Sequence, residues 1–181
     1  MRELTITISL WFVIIITVLC WKMPTVEVEE PSPVVEAVEV VIPESEPEVT
    51  PQPWTDEEVI VLAKMLWGEA RGVSSDTEKV ACVWCVLNRV DHGYGDIITV
   101  VTAPKQFVGY REGNPADGDL ITLCIDVLSR WYAEKDGQAE VGRVLPTDYL
   151  WFAADGERNH FRNAYRGGNR WDWSLPSPYE S

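Results

Sequence analysis

The chain has 181 residues, 46% of them hydrophobic and 24% charged, a composition of folded proteins that excludes collagen-like and fully disordered chains. A net charge of −14 argues against a partner held through nucleic-acid phosphates, and four Cys with two His are too few for a disulfide scaffold or a rich metal site. Carboxylates are left to carry any chemistry, and nine Trp favour flat ligands such as sugars.

Residues Leu4 to Trp21 are eighteen uncharged positions between Arg2-Glu3 and Lys22, just long enough to span a bilayer. Cys20-Trp21-Lys22-Met23 offers no small-residue cleavage site, so residues 1–23 are expected to be an uncleaved transmembrane anchor. Residues 24–53 hold eight Glu, seven Pro and no Lys or Arg. They are expected to form a disordered acidic linker reaching ~90 Å at about 3.1 Å per residue. Residues 54–181, with 13 basic and 20 acidic side chains, are the expected folded domain.

Thr55-Asp56-Glu57-Glu58 reads as a capping box, and Val59, Leu62, Ala63, Leu66 and Ala70 then recur at helical spacing. The first helix of the domain is expected at about 55–71, stopped by Gly72. Ser75-Asp76-Thr77-Glu78 reads as a second box, opening a helix that closes before Gly93. Its run Ala81 to Leu87 lacks any polar residue, which predicts a buried central helix. A short helix over 96–103 and an amphipathic one carrying Leu120, Cys124, Val127, Leu128 and Trp131 follow. Tyr149 to Ala153, Asp155-Gly156 and His160 to Ala164 read as a hairpin. Helices followed by a small C-terminal β-hairpin indicate an α+β domain.

Glu69 stands out. It lies about 20° from Leu62 on a helical wheel, on the border of the buried stripe, with no cation on its own helix placed to neutralise it. A carboxylate against apolar neighbours loses hydration, which favours its protonated form and suits a general acid. A border Glu with its head in water is the plainer reading of that geometry.

Leu66-Trp67-Gly68-Glu69-Ala70-Arg71-Gly72, Val80 to Val90 ending in Leu87-Asn88-Arg89-Val90, and Pro104-Lys105-Gln106-Phe107 together resemble the catalytic domain of spore-cortex-lytic cell wall hydrolases (SleB type). The similarity covers about residues 60–165. It implies a mainly helical, lysozyme-like or lytic-transglycosylase-like fold, cleavage of the MurNAc–GlcNAc bond of peptidoglycan, and Glu69 as the catalytic acid. Tyr149 to Phe152 and Asn159 to Arg162 resemble the family's aromatic hairpin. Two departures stand out: Val73 replaces an acidic residue common in the family, and an anchor and linker stand where a wall-binding module is often found.

A lytic transglycosylase needs one carboxylate, whereas a hydrolase usually needs two. Glu69 would serve first as acid and then as base. For a muramidase, Asp91, Asp96 and Asp119 are possible partners, although solvated helix-end positions are their simpler identity. Substrate contacts are expected from Gln106, Phe107, Trp67, Asn88, Tyr149 and Trp151, with core packing or backbone capping as the competing roles for the aromatics and for Asn88. Arg89, Arg158, Arg162 and Arg166 form a basic concentration suited to the carboxylates of the wall. Cys82-Val83-Trp84-Cys85 has the thioredoxin spacing but lies mid-helix, where a redox pair has no helix N-terminus to activate it, so both thiols are expected to be small buried hydrophobes. No metal or cofactor is implied. The expected partners are glycan strands and, through the anchor, the cell membrane, with a monomeric domain on the outer side. A non-catalytic module pinning membrane to wall, and a membrane-anchored thiol oxidoreductase, are the competing functional classes.

Overall fold

A computed structural model describes residues 51–180. The expected anchor and nearly all of the linker lie outside those residues. Four helices, α1 (Asp56–Ala70), α2 (Asp76–Asp91), α3 (Ile97–Thr102) and α4 (Gly118–Lys135), precede a two-stranded antiparallel hairpin of β1 (Trp151–Ala154) and β2 (Asn159–Arg162). The described part is mainly helical with a small C-terminal hairpin, and among its residues no helix is long and apolar enough to cross a membrane.

The box before α1 forms as expected. Thr55 Oγ1 accepts from Glu58 N at 3.2 Å, and Glu58 Oε2 accepts from Thr55 N at 2.8 Å. Both bonds satisfy backbone donors that a helix start leaves free. The second box forms only in half. Ser75 Oγ accepts from Glu78 N, but the Glu78 side chain turns inward, where its Oε1 accepts from Asn159 N at 2.5 Å. A buried strand amide needs an acceptor more than an exposed helix start does, and that demand outweighs the local motif.

Helix α2 is the centre of the domain. Every side chain from Val80 to Leu87 is fully enclosed, and the helix packs against α1, α3, α4 and β1. Its end is fixed by His92, whose backbone N–H donates to Asn88 O at 3.0 Å. Trp84 and Trp131 are both core residues, the Trp131 indole donating to Asp91 Oδ2 at 2.9 Å. Cys82, Cys85 and Cys124 are buried free thiols, as small core hydrophobes would be.

The hairpin registers Trp151 with Arg162, Phe152 with Phe161, Ala153 with His160 and Ala154 with Asn159. At its turn Asp155 Oδ1 accepts from the amides of Glu157 and Arg158, both at 3.0 Å, and Gly156 takes φ +98°. That backbone conformation favours glycine. The neighbouring His160 ring, bonded to Asp155 Oδ2, holds the Asp155 carboxyl well below the usual range. The first strand begins two residues later than Tyr149, because Tyr149 and Leu150 instead offer their carbonyls to Asn88 and Arg89, and the second runs from Asn159 to Arg162 instead of from His160 to Ala164.

Candidate functional site

Glu69 sits in the last turn of α1, half-buried, and lines an open cleft of about 380 Å³. One wall is Gly68, Arg71, Gly72 and Val73; the other is the hairpin, through Ala154, Gly156, Glu157, Arg158 and Asn159. The cleft thus brings two carboxylates and two guanidinium groups around one space.

The carboxylate of Glu69 is held from one side. Its Oε1 accepts from the backbone N–H of Gly109 at 2.6 Å, and among the described residues no protein group hydrogen-bonds Oε2. Gly109 reaches this position because the segment after α3 is stitched to α1. Asn114 Nδ2 donates to Lys64 O and to Gly109 O, both at 3.0 Å, and Phe107 is buried against Phe152 with ring centroids 5.8 Å apart. A charge-assisted bond of this kind fixes a carboxylate more firmly than a neutral one. The arrangement leaves one oxygen oriented by protein and one free for a ligand.

A second cavity of about 290 Å³ adjoins the cleft, with Gly72, Val73, Glu157 and Arg158 lining both. It carries Thr77, Glu78 and Trp173. Trp173 packs edge-on against Phe161 at 5.6 Å and keeps φ at +62°, a conformation that costs a non-glycine residue about 1–3 kcal/mol. The two spaces share that wall, and Trp173 lines the second of them. A larger cavity of about 600 Å³ lies between Glu134, residues 139–143 and Pro176. Two of its three charged groups, Glu134 and Arg143, are already paired with each other, and Glu140 is the third.

None of the six expected substrate contacts lines the cleft. Asn88 has no exposed surface; its Nδ2 donates to Pro146 O and Tyr149 O, and its Oδ1 accepts from Arg143. Its Nδ2 holds the carbonyls of Pro146 and Tyr149, so the backbone-capping role is the one it fills. Arg89 is buried too, donating to Leu150 O at 2.6 Å and to Gln106 Oε1 at 3.0 Å, with its guanidinium 4.9 Å from the Phe107 ring. Phe107 and Tyr149 are therefore packing residues, Tyr149 edge-on to Trp171 at 5.4 Å. Gln106 is exposed and spends its carbonyl on Arg89. Trp67 is half-buried beside Arg71, and Trp151 is half-buried near Tyr165; neither lines the cleft. Of the expected basic residues, Arg158 alone lines it. Of the candidate partners for a hydrolase, Asp91 is committed to Trp131 and Lys135 and Asp96 to the amide of Thr99 as the cap of α3, while Asp119 lies exposed in the first turn of α4; none of the three lines the cleft.

The residues that sequence reasoning missed are Glu78, Glu157 and Asn159. Asn159 is 2% exposed, and neither Nδ2 nor Oδ1 of its carboxamide has a hydrogen-bond partner. Leaving such groups unmet costs on the order of 1–3 kcal/mol apiece. A short polar residue opening a strand carries no local signal of this kind. Comparison of the chain with protein-family models, with curated proteins and with solved structures returned no match.

Proposed function

We propose that the domain cleaves the glycan strands of peptidoglycan at the MurNAc–GlcNAc bond, acting as a lytic transglycosylase on a lysozyme-like helical framework. The observation that carries this reading is the setting of Glu69: a carboxylate at the end of α1, oriented through one oxygen by Gly109 N, with its other oxygen unbonded in an open cleft. The resemblance of the Gly68-to-Gly72 and Leu87-to-Val90 strings to the SleB-type hydrolases supplies the substrate class.

In this mechanism Glu69 donates its proton to the glycosidic oxygen as the C1–O4 bond breaks, releasing the GlcNAc end with a free 4-hydroxyl. The resulting carboxylate then takes the proton of the muramic acid C6 hydroxyl while that oxygen bonds to C1. The proton balance closes on a single group, which ends protonated as it began. No water is consumed, and the internal hydroxyl acts at a high effective concentration. Arg71 and Arg158 provide positive charge along the cleft for the lactyl and peptide carboxylates of the strand. With an anchor at residues 1–23, the domain would stand on the outer face of the membrane, where this substrate lies.

Glu157 gives a specific reason to keep a second reading, because it places another carboxylate on the same cleft. A muramidase would use it to activate water. The test of either form is the full-length protein, purified in detergent and incubated with isolated peptidoglycan, with and without Glu69→Gln. The variant keeps the size and acceptor of Glu69 but has no proton to deliver, so release of soluble fragments should fall about 10²- to 10⁴-fold. Undiminished release would remove Glu69 from the chemistry, and no release by the unmutated protein would leave a binding module as the better account.

A further inference from the structure

We propose that the outer face of the hairpin is a holding surface for the peptide-stem carboxylates of the glycan strand, an inference that rests on the glycan-cleaving reading and names a second part of the strand that the domain grips. The alternation of the two strands defines this face. Phe152 and Phe161 are paired in register and turn inward, Phe161 being buried with its ring 5.3 Å from that of Phe152. Trp151, paired with Arg162, and His160, two residues before Arg162, therefore project from the opposite side. Arg170 joins them, bridged to Arg162 and with its guanidinium on the His160 ring. Tyr165 extends the face, edge-on to Trp151 at 6.5 Å, and the Arg166 guanidinium lies 5.7 Å from the Tyr165 ring. One surface thus carries three guanidinium groups and two large aromatic rings.

The charge of this surface opposes that of the rest of the domain. Residues 54–181 hold 13 basic and 20 acidic side chains, yet 158–171 hold four Arg, one His and no Asp or Glu. Among the described residues no carboxylate pairs with Arg162, Arg166 or Arg170, and the neighbouring Asp155 and Asp148 are bonded to His160 and Asn163. Like charges opposite each other, as Arg162 and Arg170 are, destabilise a hairpin, and an anion from outside relieves that repulsion. The planar fork of Arg meets a carboxylate through two parallel N–H donors. The turn of the same hairpin lines the Glu69 cleft through Gly156, Glu157 and Arg158, so a strand passing that turn brings its stems to this face. An acidic domain would otherwise repel a polymer studded with carboxylates, and a local cationic face removes that barrier. Tyr165, 72% exposed, adds flat apolar area between the charges.

The test reads binding alone, with full-length Glu69→Gln protein in detergent sedimented with insoluble peptidoglycan freed of attached phosphate polymers. One portion keeps its stem carboxylates; in the other they are converted to neutral amides. The protein should bind the first portion about 3- to 10-fold more tightly, and adding Arg162→Gln with Arg166→Gln should remove a good part of that preference while leaving binding to the amidated portion unchanged. Arg166→Gln alone, at an exposed position, should remove a smaller part and guards against a misfolded double variant. Equal binding of the two portions, or a preference undiminished in the folded double variant, would overturn the assignment, as would an effect of the substitutions seen only on walls that retain their phosphate polymers. Because no turnover is measured, wild-type protein that shows the arginine-dependent preference but releases no fragments would sink the enzymatic reading and leave this surface standing. Fragment release without any preference for carboxylates would do the reverse.

Discussion

Gly68 and Gly109 meet backbone to backbone: a Cβ on Gly68 would lie 2.1 Å from Gly109 O, and one on Gly109 would lie 2.3 Å from Gly68 O. No side chain fits between them, and neither contact is with a flexible group that moves aside. This approach is what brings Gly109 N to Glu69 Oε1. Alanine at either position should force the 107–114 segment off α1, costing about 1–3 kcal/mol through overpacking. Activity should fall with it, because Glu69 loses its orienting donor. Thermal unfolding and fragment release on Gly68→Ala and Gly109→Ala check this; a Gly109→Ala protein with wild-type stability and turnover would show that the close approach is dispensable.

Glu78 should behave as a structural acceptor. Removing it in Glu78→Ala strands the buried N–H of Asn159, at a cost of roughly 1–3 kcal/mol. Glu78→Gln retains a carbonyl oxygen for the same bond and should recover a good part of the loss. Chemical denaturation of the two variants measures the difference directly. If both are equally unstable, the bond to Asn159 is not what Glu78 contributes.

The three described thiols should be inert in the folded protein. Burial pushes Cys85 up from 9.0 to about 12, and burial also raises Cys82 and Cys124. Unfolded thiols ionise near 9.0 while the folded ones stay protonated, so their contribution to stability is complete below pH 9 and is lost as pH rises toward 12. Alkylation at pH 8 should label these residues only after denaturation. Cys82→Ser and Cys85→Ser should keep wall cleavage while losing on the order of 1–3 kcal/mol each through buried hydroxyls. Rapid labelling of native Cys82, or loss of cleavage in a folded double variant, would revive a thiol chemistry.

The helices were legible in the sequence because their signals are local. Thr55 and Glu58 cap α1 through bonds three residues apart, and Val80 to Leu87 announce burial by containing nothing polar. The same logic failed at Glu78, where the motif fits equally well but a partner 81 residues away takes the side chain. The roles of Asn88 and Arg89 were open in the sequence for the same reason: their backbone acceptors lie at 146, 149 and 150, beyond any local window. Glu69 was visible because charge on an apolar border is a local anomaly. Asn159 was not, since its distinction is the absence of partners in three dimensions.

The identity of the sugar end tests the central claim most directly. Full-length protein should be incubated with isolated peptidoglycan and the soluble products measured by mass. If Glu69 acts alone as acid and then base, the muramic acid ends will be 1,6-anhydro sugars, each lighter by one water than a reducing end, and Glu69→Gln will yield almost none. Reducing, water-added ends would contradict that account and point to a hydrolase using a second carboxylate, for which Glu157 lines the same cleft.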